Sequence, residues 1–368
     1  MHIAMIGTRG VPARYGGFET AVEEVGRRLV ARGHRVTVYC RNEGQTMTEH
    51  LGMRLVNLPA LRRRSLETLS HSALSARHAT RPQNRPDVAV VFNAANAPFL
   101  ARMRKRGIPT AVHMDGIEWK RQKWAGAGAA YYKWAERKAA TEGLALIADA
   151  QGIADHLWDT YRRHSYVIAY GAPILHPESD LLKRYGLGTS EYHLVVSRME
   201  PENHVHMIVE GYALSGSEIP LVVVGGTPYG DQYIDRVKRL AGRSDTRFIG
   251  AVWDQRLLNQ LYGNCRSYLH GHSVGGTNPS LLRALGCAAP VSAFDVNFNR
   301  EVTAGHARFF RTPKEAAGAV RADDADVEGA LLRGKAGQVH ASVAYRWEDV
   351  TDGYERMLLE LAVMDGNG

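Results

Sequence analysis

Ile3-Ala4-Met5-Ile6-Gly7-Thr8-Arg9-Gly10-Val11-Pro12-Ala13-Arg14-Tyr15-Gly16-Gly17-Phe18-Glu19-Thr20 is the stretch from which the fold is read. Residues 3–6 are a short apolar run and predict a buried strand. Residues 7–17 are rich in glycine and proline and predict a loop. Beyond them Ala21, Val22, Val25, Leu29 and Val30 recur at helical spacing, while Glu23, Glu24, Arg27 and Arg28 fall elsewhere on the same helix. Gly33 stops that helix, and Val36-Thr37-Val38-Tyr39 begins a second strand. Strand, loop, helix and strand in forty residues make a βαβ unit, which implies a parallel sheet.

The alternation continues outward. Further strands are expected at 54–58, 88–92, 110–113, 144–148 and 166–168, with helices at 66–79, 97–105, 119–141 and 151–161. This first domain covers 1–173. Residues 174–192 are polar and mixed, contain Pro177, Gly186 and Gly188, and read as a linker. A second series follows, with strands at 193–196, 221–224, 247–249, 267–269 and 290–292 and helices at 206–214, 231–240, 255–262 and 278–285. It sets a second domain at 193–345, leaving 346–368 as a C-terminal helix and tail. That helix has Val350, Tyr354, Met357, Leu358 and Leu361 at helical spacing. No solenoid repeat or low-complexity tract interrupts the pattern. The architecture expected is α/β, with two doubly wound Rossmann-like domains and a cleft between them. Ligands belong at the carboxyl ends of the strands.

Bulk composition narrows the function. The 368 residues are 45% hydrophobic and 23% charged, which is ordinary globular composition and enough apolar material for two cores. Lys and Arg outnumber Asp and Glu by 46 to 38, a formal +8, with a pI near 9.4. Such a balance suits an anionic partner: nucleic acid, a membrane surface or a phosphorylated small molecule. The basic residues are spread along the chain at 62–64, 102–106 and 119–123 rather than gathered with aromatic platforms, which argues against nucleic acid. Cys40, Cys265 and Cys287 are scattered, so no disulfide framework or zinc site is indicated, which fits a reducing cytoplasm. The N-terminus reads as a folded strand rather than a signal peptide, and no run is long and apolar enough to span a membrane.

Four stretches carry candidate chemistry. The loop with Gly7, Gly10, Gly16 and Gly17 opens a helix, where backbone N–H groups meet anions. Its spacing fits neither GxGxxG nor GxxxxGK[ST]. It reads equally as a plain strand-to-helix connection. A second such loop is Gly271-His272-Ser273-Val274-Gly275-Gly276-Thr277-Asn278-Pro279. Here Thr277 or Asn278 suits a helix cap and Pro279 the first helical turn. Two anion-ready helix starts, one per domain, are more specific than either alone. In Ser197-Arg198-Met199-Glu200-Pro201-Glu202-Asn203-His204, Arg198 follows a strand and suits a bidentate diphosphate clamp. The bland alternative is a surface salt bridge to Glu200 or Glu202. In His113-Met114-Asp115-Gly116-Ile117-Glu118-Trp119-Lys120-Arg121, His113 and Asp115 suit sugar hydroxyls or proton transfer. The basic and aromatic residues after Glu118 read either as a solvated helix face or as a lipid-phosphate site.

In this order the motifs resemble the family-4 glycosyltransferases of the GT-B fold, especially the bacterial branch of rhamnosyltransferases that use dTDP-rhamnose. The opening stretch and the Gly275-Gly276-Thr277-Asn278-Pro279 loop carry the likeness, and Asp115 to Arg121, Arg198 to Asn203, Phe298 to Glu301 and Trp347 to Val350 support it. The resemblance implies two Rossmann-like domains, with the C-terminal helix crossing back to the first. It implies retaining, metal-independent hexosyl transfer from a dTDP-, GDP- or UDP-linked sugar, with no other cofactor. His113, Asp115 and Arg198 would be catalytic. Gly16, Gly17, Arg198, Asn203, Gly225, Val252, His272, Gly275, Gly276, Thr277, Asn278 and Arg283 would bind the donor. Arg14, Tyr15, Phe18, Glu118 and Trp119 would face the acceptor, and Arg9 and Arg14 are further candidates for the diphosphate.

Two departures bear on the donor. Many members carry two glutamates eight positions apart around the second loop; here those positions hold Gly275 and Arg283. An arginine cannot accept hydrogen bonds from ribose hydroxyls. The usual phosphate-binding lysine is Asn203. The resemblance therefore leaves two functional expectations. One is an active enzyme of cell-surface polysaccharide or natural-product (antibiotic) biosynthesis, a cytoplasmic monomer or homodimer that works free or at the inner face of the membrane on a small or lipid-linked acceptor. The other is a catalytically silent nucleotide-sugar-binding homologue.

Overall fold

The structure is a computed structural model that describes residues 1–13, 16–41, 44, 46–61, 66–114, 116–120, 126–226 and 231–364. The chain divides into two compact units, Met1–Tyr170 with Trp347–Gly368, and Gly171–Arg346.

The first unit starts as its opening stretch dictates: β1 (His2–Ile6), α1 (Gly17–Ala31) and β2 (Arg35–Arg41). It continues through β3 (Glu49–His50), β4 (Met53–Leu58), α2 (Glu67–Ala79), β5 (Val88–Phe92), α3 (Leu100–Arg104) and β6 (Thr110–Met114). Then come α4 (Ala127–Glu142), β7 (Ala145–Ala148), α5 (Gln151–Tyr161) and β8 (Tyr166–Val167). The sheet order is β3-β4-β2-β1-β5-β6-β7-β8. Its pairings are parallel except β3 with β4. β1 is central, with Met5 opposite Val38 on one side and Val90 on the other. Every residue of β1, β5 and β6 is buried, which is why these strands read as continuous rather than alternating apolar runs.

The second unit contains β9 (His193–Val196), α6 (Val205–Ser215), β10 (Leu221–Val224), α7 (Asp231–Ala241), β11 (Thr246–Gly250) and α8 (Gln255–Gly263). These are followed by β12 (Ser267–His270), α9 (Pro279–Gly286), β13 (Val291–Phe294), α10 (Asn297–Thr303), β14 (Ala307–Phe310), α11 (Pro313–Ala325) and α12 (Val327–Ala344). The order β11-β10-β9-β12-β13-β14 is parallel throughout. The last helix, α13 (Trp347–Met364), returns to the first unit. It is fastened to α1 and the turn after it by Arg28 to Glu348 at 2.7 Å, Arg32 to Asp352 at 2.7 Å and to Glu355 at 2.6 Å, and His34 to Glu355 at 2.7 Å.

Several elements differ from the sequence expectation. Residues 97–105 are not one helix: a 3-10 turn (Ala94–Phe99) precedes α3, because Pro98 has no N–H to continue the ladder. Residues 119–141 split into a 3-10 turn (Glu118–Lys120) and α4. Residues 174–192 were expected to link two domains, and they pack as part of the second unit. Leu181, Leu182, Leu187 and Tyr192 are buried there. Asn264 donates to the Glu178 carbonyl at 2.8 Å, and the Leu181 N–H donates to Gln260 at 2.9 Å. The strand β14 and helices α10 to α12 were not anticipated. α11 nonetheless starts with a capping box: Thr312 accepts from the Glu315 N–H, Glu315 accepts from the Thr312 N–H, and Pro313 fills the first turn.

Candidate functional site

Sheet topology selects the loops. In the first unit the strand order reverses between β1 and β5, and in the second between β9 and β12. Ligands of open α/β sheets bind at the carboxyl ends of the strands flanking such a reversal. The first pair of ends carries residues 7–16 and 93–96; the second carries 197–203 and 271–278.

In the first unit, Gly7 has φ +107° and Gly10 φ +104°. A Cβ on Gly7 would collide with the Phe92 carbonyl, and one on Gly10 with Cys40. Both glycines are therefore required by close packing of the loop against β5 and β2. Three of the loop amides are engaged. Arg9 N–H donates to Glu19 at 2.9 Å, Gly10 N–H to Thr8 at 3.1 Å and Ala13 N–H to Glu23 at 2.8 Å. Gly16 is the extended N-cap of α1, and Gly17 is its first residue.

His113 is next to last in β6 and is 1% exposed. It stacks on Phe92 and Tyr170, and the Phe18 ring stands edge-on to it at 5.1 Å. Its Nδ1 has no hydrogen-bond partner. Burial lowers its pKa to about 3, so the ring is neutral at working pH and suits a hydrogen bond better than a cationic role. Trp119 donates from its indole to Glu136 at 3.2 Å, and Lys133 lies over its ring at 4.5 Å. Glu118 is buried on the same turn. Arg14, Tyr15 and Asp115 lie outside the described residues.

In the second unit, Arg198 follows β9 with 42% of its side chain exposed. Among the described residues its ionic neighbour is Glu200 at 3.5 Å, a loose pair. Asn203 is 2% exposed, and its amide donates to the Arg198 carbonyl at 2.8 Å. One of its N–H groups thus holds the backbone of Arg198. Gly225, at φ +135°, lets the end of β10 pass against the Ser197 carbonyl. Val252 is half-buried in the loop after β11.

Residues 271–278 are anchored at both ends. The Ser273 N–H and hydroxyl both donate to the Glu202 carbonyl at 3.0 Å. The His272 carbonyl accepts from Asn299 at 2.9 Å, and the His272 ring stacks on His270 at 4.6 Å. Asn278 caps α9 by accepting from the Ser280 N–H at 2.9 Å, Pro279 is the first helical residue, and Thr277 is buried. Between these anchors Gly275 has φ +136°. Among the described residues the amides of Gly275 and Gly276 take no partner. Open amides just ahead of a helix start, with an exposed arginine at the end of the adjacent strand, are an arrangement that suits an anion. Arg283 lies in the last turn of α9 and donates to Gln255 at 2.8 Å.

Glu202 and His270 were given no site role from sequence. Glu202 is 5% exposed, and neither carboxylate oxygen has a hydrogen-bond partner. His270 is buried, is bonded to Tyr268 at 2.9 Å, and has its pKa lowered to about 3 by burial. Both adjoin the two candidate anion-binding stretches. Among the described residues, no group of three or more His, Cys, Asp or Glu is placed to hold a metal ion, and no helix is long and apolar enough to cross a membrane.

Comparison with known proteins follows this division. Residues 180–322 match the family "Glycosyl transferases group 1". Residues 1–173 match a domain of unknown function, DUF1972. No curated protein matches the chain. Among solved structures, sucrose-phosphate synthase from Thermosynechococcus elongatus is 18% identical, with 99% of each chain covered and a TM-score of 0.83. The Anabaena protein HepE, solved in complex with UDP-glucose, is 16% identical over 98% of this chain and 100% of its own, TM-score 0.80. A glycosyltransferase from Rickettsia africae is 15% identical over 98% of each chain, TM-score 0.74. At such identities the likeness establishes the fold, two parallel-sheet Rossmann-like units of GT-B type. Over residues 180–322 the chain carries a glycosyl transferase group 1 domain.

Proposed function

We propose that the protein is a retaining glycosyltransferase that moves a hexosyl group from a nucleotide diphosphate sugar to an acceptor. The observation that carries this reading is the pairing of open amides at Gly275 and Gly276 with the exposed Arg198 on the neighbouring strand end. As the glycosidic bond breaks, negative charge grows on the leaving diphosphate. Preorganised N–H groups and a guanidinium stabilise that charge. The departing phosphate oxygen accepts the acceptor's proton, so the reaction calls on no protein base and no metal. Neutral His113, walled by Phe18, Phe92 and Tyr170, serves as a hydrogen-bond partner for a sugar hydroxyl. The acceptor is assigned to the first unit.

The donor is dTDP-, UDP- or GDP-linked, and the product belongs to cell-surface polysaccharide or natural-product biosynthesis in the cytoplasm. A lipid-linked acceptor at the membrane face is part of the same proposal. The exposed Lys133, Trp134 and Arg137 on α4 support it, and salt-sensitive sedimentation with anionic liposomes tests it. A thermal-shift panel with dTDP, UDP, GDP and ADP tests the donor assignment, because a ligand that binds the native state must raise apparent stability. At least one shift is expected; none with any nucleotide overturns the reading. The absence of the two glutamates, at Gly275 and Arg283, favours the second reading, a silent nucleotide-sugar binder. Slow hydrolysis of the bound sugar nucleotide marks an active enzyme; binding without turnover marks a silent one.

A further inference from the structure

The end of β5 carries polar groups that the donor reading does not use. Asn93 is the first residue beyond β5, beside the reversal of strand order between β1 and β5. Its backbone stands at φ +72° and ψ +124°. That lies outside the left-handed region that asparagine tolerates, and non-glycine residues held in such conformations cluster at binding sites. A residue that only turned the chain would be glycine, as at Gly7 and Gly10 after the neighbouring strand.

Its neighbours hold Asn93 in this conformation and fix its side chain. The Asn93 N–H donates to the His113 carbonyl at 3.0 Å, and the Asn93 carbonyl accepts from the Asn96 N–H at 3.0 Å. Oδ1 of Asn93 accepts from the Ala95 N–H at 2.8 Å. That leaves the side-chain NH2 as a donor, and it takes no partner among the described residues. Asn96 is fully buried, and its NH2 donates to the Phe92 carbonyl at 2.8 Å. Its Oδ1 has no hydrogen-bond partner, and neither has Nδ1 of the buried His113. Buried polar atoms are nearly always answered in a folded chain. Two unanswered ones beside a strained residue call for a hydrogen-bonding ligand.

The set carries no charge. Asn93 supplies a donor, Asn96 an acceptor, and the His113 ring is neutral because burial lowers its pKa to about 3. On the loop after β1, the carboxylates of Glu19 and Glu23 are turned to the Arg9 and Ala13 amides, and the Arg9 side chain is turned to Glu67 at 3.7 Å. An acid would meet those carboxylates and the bare Asn96 oxygen, and an ammonium would meet the Asn93 N–H groups. A hydroxyl both gives and accepts a hydrogen bond. We propose that Asn93, with Asn96 and His113 behind it, forms a hydroxyl-reading subsite for a neutral sugar ring of the acceptor. It rests on the assignment of the acceptor to the first unit. Asn93 is half-buried and forms the mouth of the subsite.

The test uses the full-length protein saturated with the nucleotide that stabilises it most, so that the donor site is filled. Methyl α-D-glucoside, methyl α-D-galactoside, methyl α-D-mannoside and D-glucuronate are titrated by calorimetry. At least one methyl glycoside should bind more tightly than the acid. Asn93→Asp keeps the oxygen that Ala95 uses and removes the donor, so glycoside affinity should fall about fivefold or more, the worth of one neutral hydrogen bond. Asn93→Gly removes the side chain and fits the positive φ. It should lose glycoside affinity equally while its urea midpoint stays at or above that of the unaltered protein. Both variants should keep nucleotide affinity within about twofold. No glycoside binding, glucuronate binding as tightly as every glycoside, or unchanged glycoside affinity in both variants overturns the subsite. A low urea midpoint in Asn93→Gly together with normal glycoside binding in Asn93→Asp reduces Asn93 to a turn residue. Absent nucleotide stabilisation with glycoside binding that depends on Asn93 counts against the donor reading alone.

Discussion

The two glycine-rich loops, residues 7–16 and 271–278, look alike in sequence and differ in who answers their amides. Each follows a strand beside the strand-order reversal of its own sheet and leads into a helix. In the first loop the carboxylates of Glu19 and Glu23, both on α1, accept from the Arg9 and Ala13 amides. In the second a neutral side chain, Asn278, caps the helix and leaves Gly275 and Gly276 open. Glycine spacing frees the backbone, but the charge of the capping side chain decides whether an anion is welcome. An incoming phosphate at the first loop would have to displace two carboxylates and would feel their repulsion. We therefore propose the second loop as the main donor phosphate site.

The sharpest way to break this contrast is Arg198→Ala. It removes the guanidinium beside the open amides, and turnover of the sugar nucleotide should fall about 10²- to 10³-fold. Unchanged turnover would mean that the diphosphate lies elsewhere. Next is Gly275→Val, which forces a β-branched residue to φ +136°. Nucleotide affinity by calorimetry should drop at least about tenfold, with a strain cost of about 1–3 kcal/mol. Its counterpart in the first loop is Glu19→Gln, which should leave nucleotide affinity within about twofold and cost about 1 kcal/mol of stability. A large loss of nucleotide affinity in Glu19→Gln would erase the distinction between the loops. Asn278→Ala should lower stability by about 1 kcal/mol in denaturant titration, as loss of a helix cap does.

A smaller effect concerns pH. His113 and His270, one in each unit, are held neutral by burial with pKa lowered to about 3. The unfolded chain takes up protons near pH 6.5 while the folded chain does not. Their neutral burial therefore favours the fold fully above about pH 6.5. That contribution is lost as pH falls toward 3, by about 1.4 kcal/mol per pH unit for each group. Urea unfolding at pH 7 and pH 5 should show the loss, and His113→Phe should reduce its slope by one group's share. Activity should show no inflection from His113 between pH 5 and 8; one appearing there and vanishing in His113→Phe would show a charged role.

Much of the fold was legible because buried parallel strands announce themselves. Residues 3–6, 88–92 and 221–224 are unbroken apolar runs, and the helices between them end at glycines or caps. Residues 297–344 were not legible by the same rule. α12 buries small residues, Ala330, Gly334, Gly337 and Ala341, while Leu332, Val339 and Val343 are exposed. Its apolar pattern points the wrong way, because close packing of backbone rather than large side chains holds its inner face. The capping box at Thr312 and Glu315 was present in the sequence and unused. In the site, the cap at Asn278 and Pro279 follows directly from residue type. The buried role of Asn203 and the engagement of the first loop by Glu19 and Glu23 do not, since both depend on contacts that spacing along the chain does not encode.

Hydrogen exchange with and without the most stabilising nucleotide tests the central claim most directly. The account predicts slowed exchange at 197–203 and at 275–277, with residues 7–17 unchanged by the nucleotide alone. Protection confined to residues 7–17, with 275–277 exchanging as in the free protein, would contradict it.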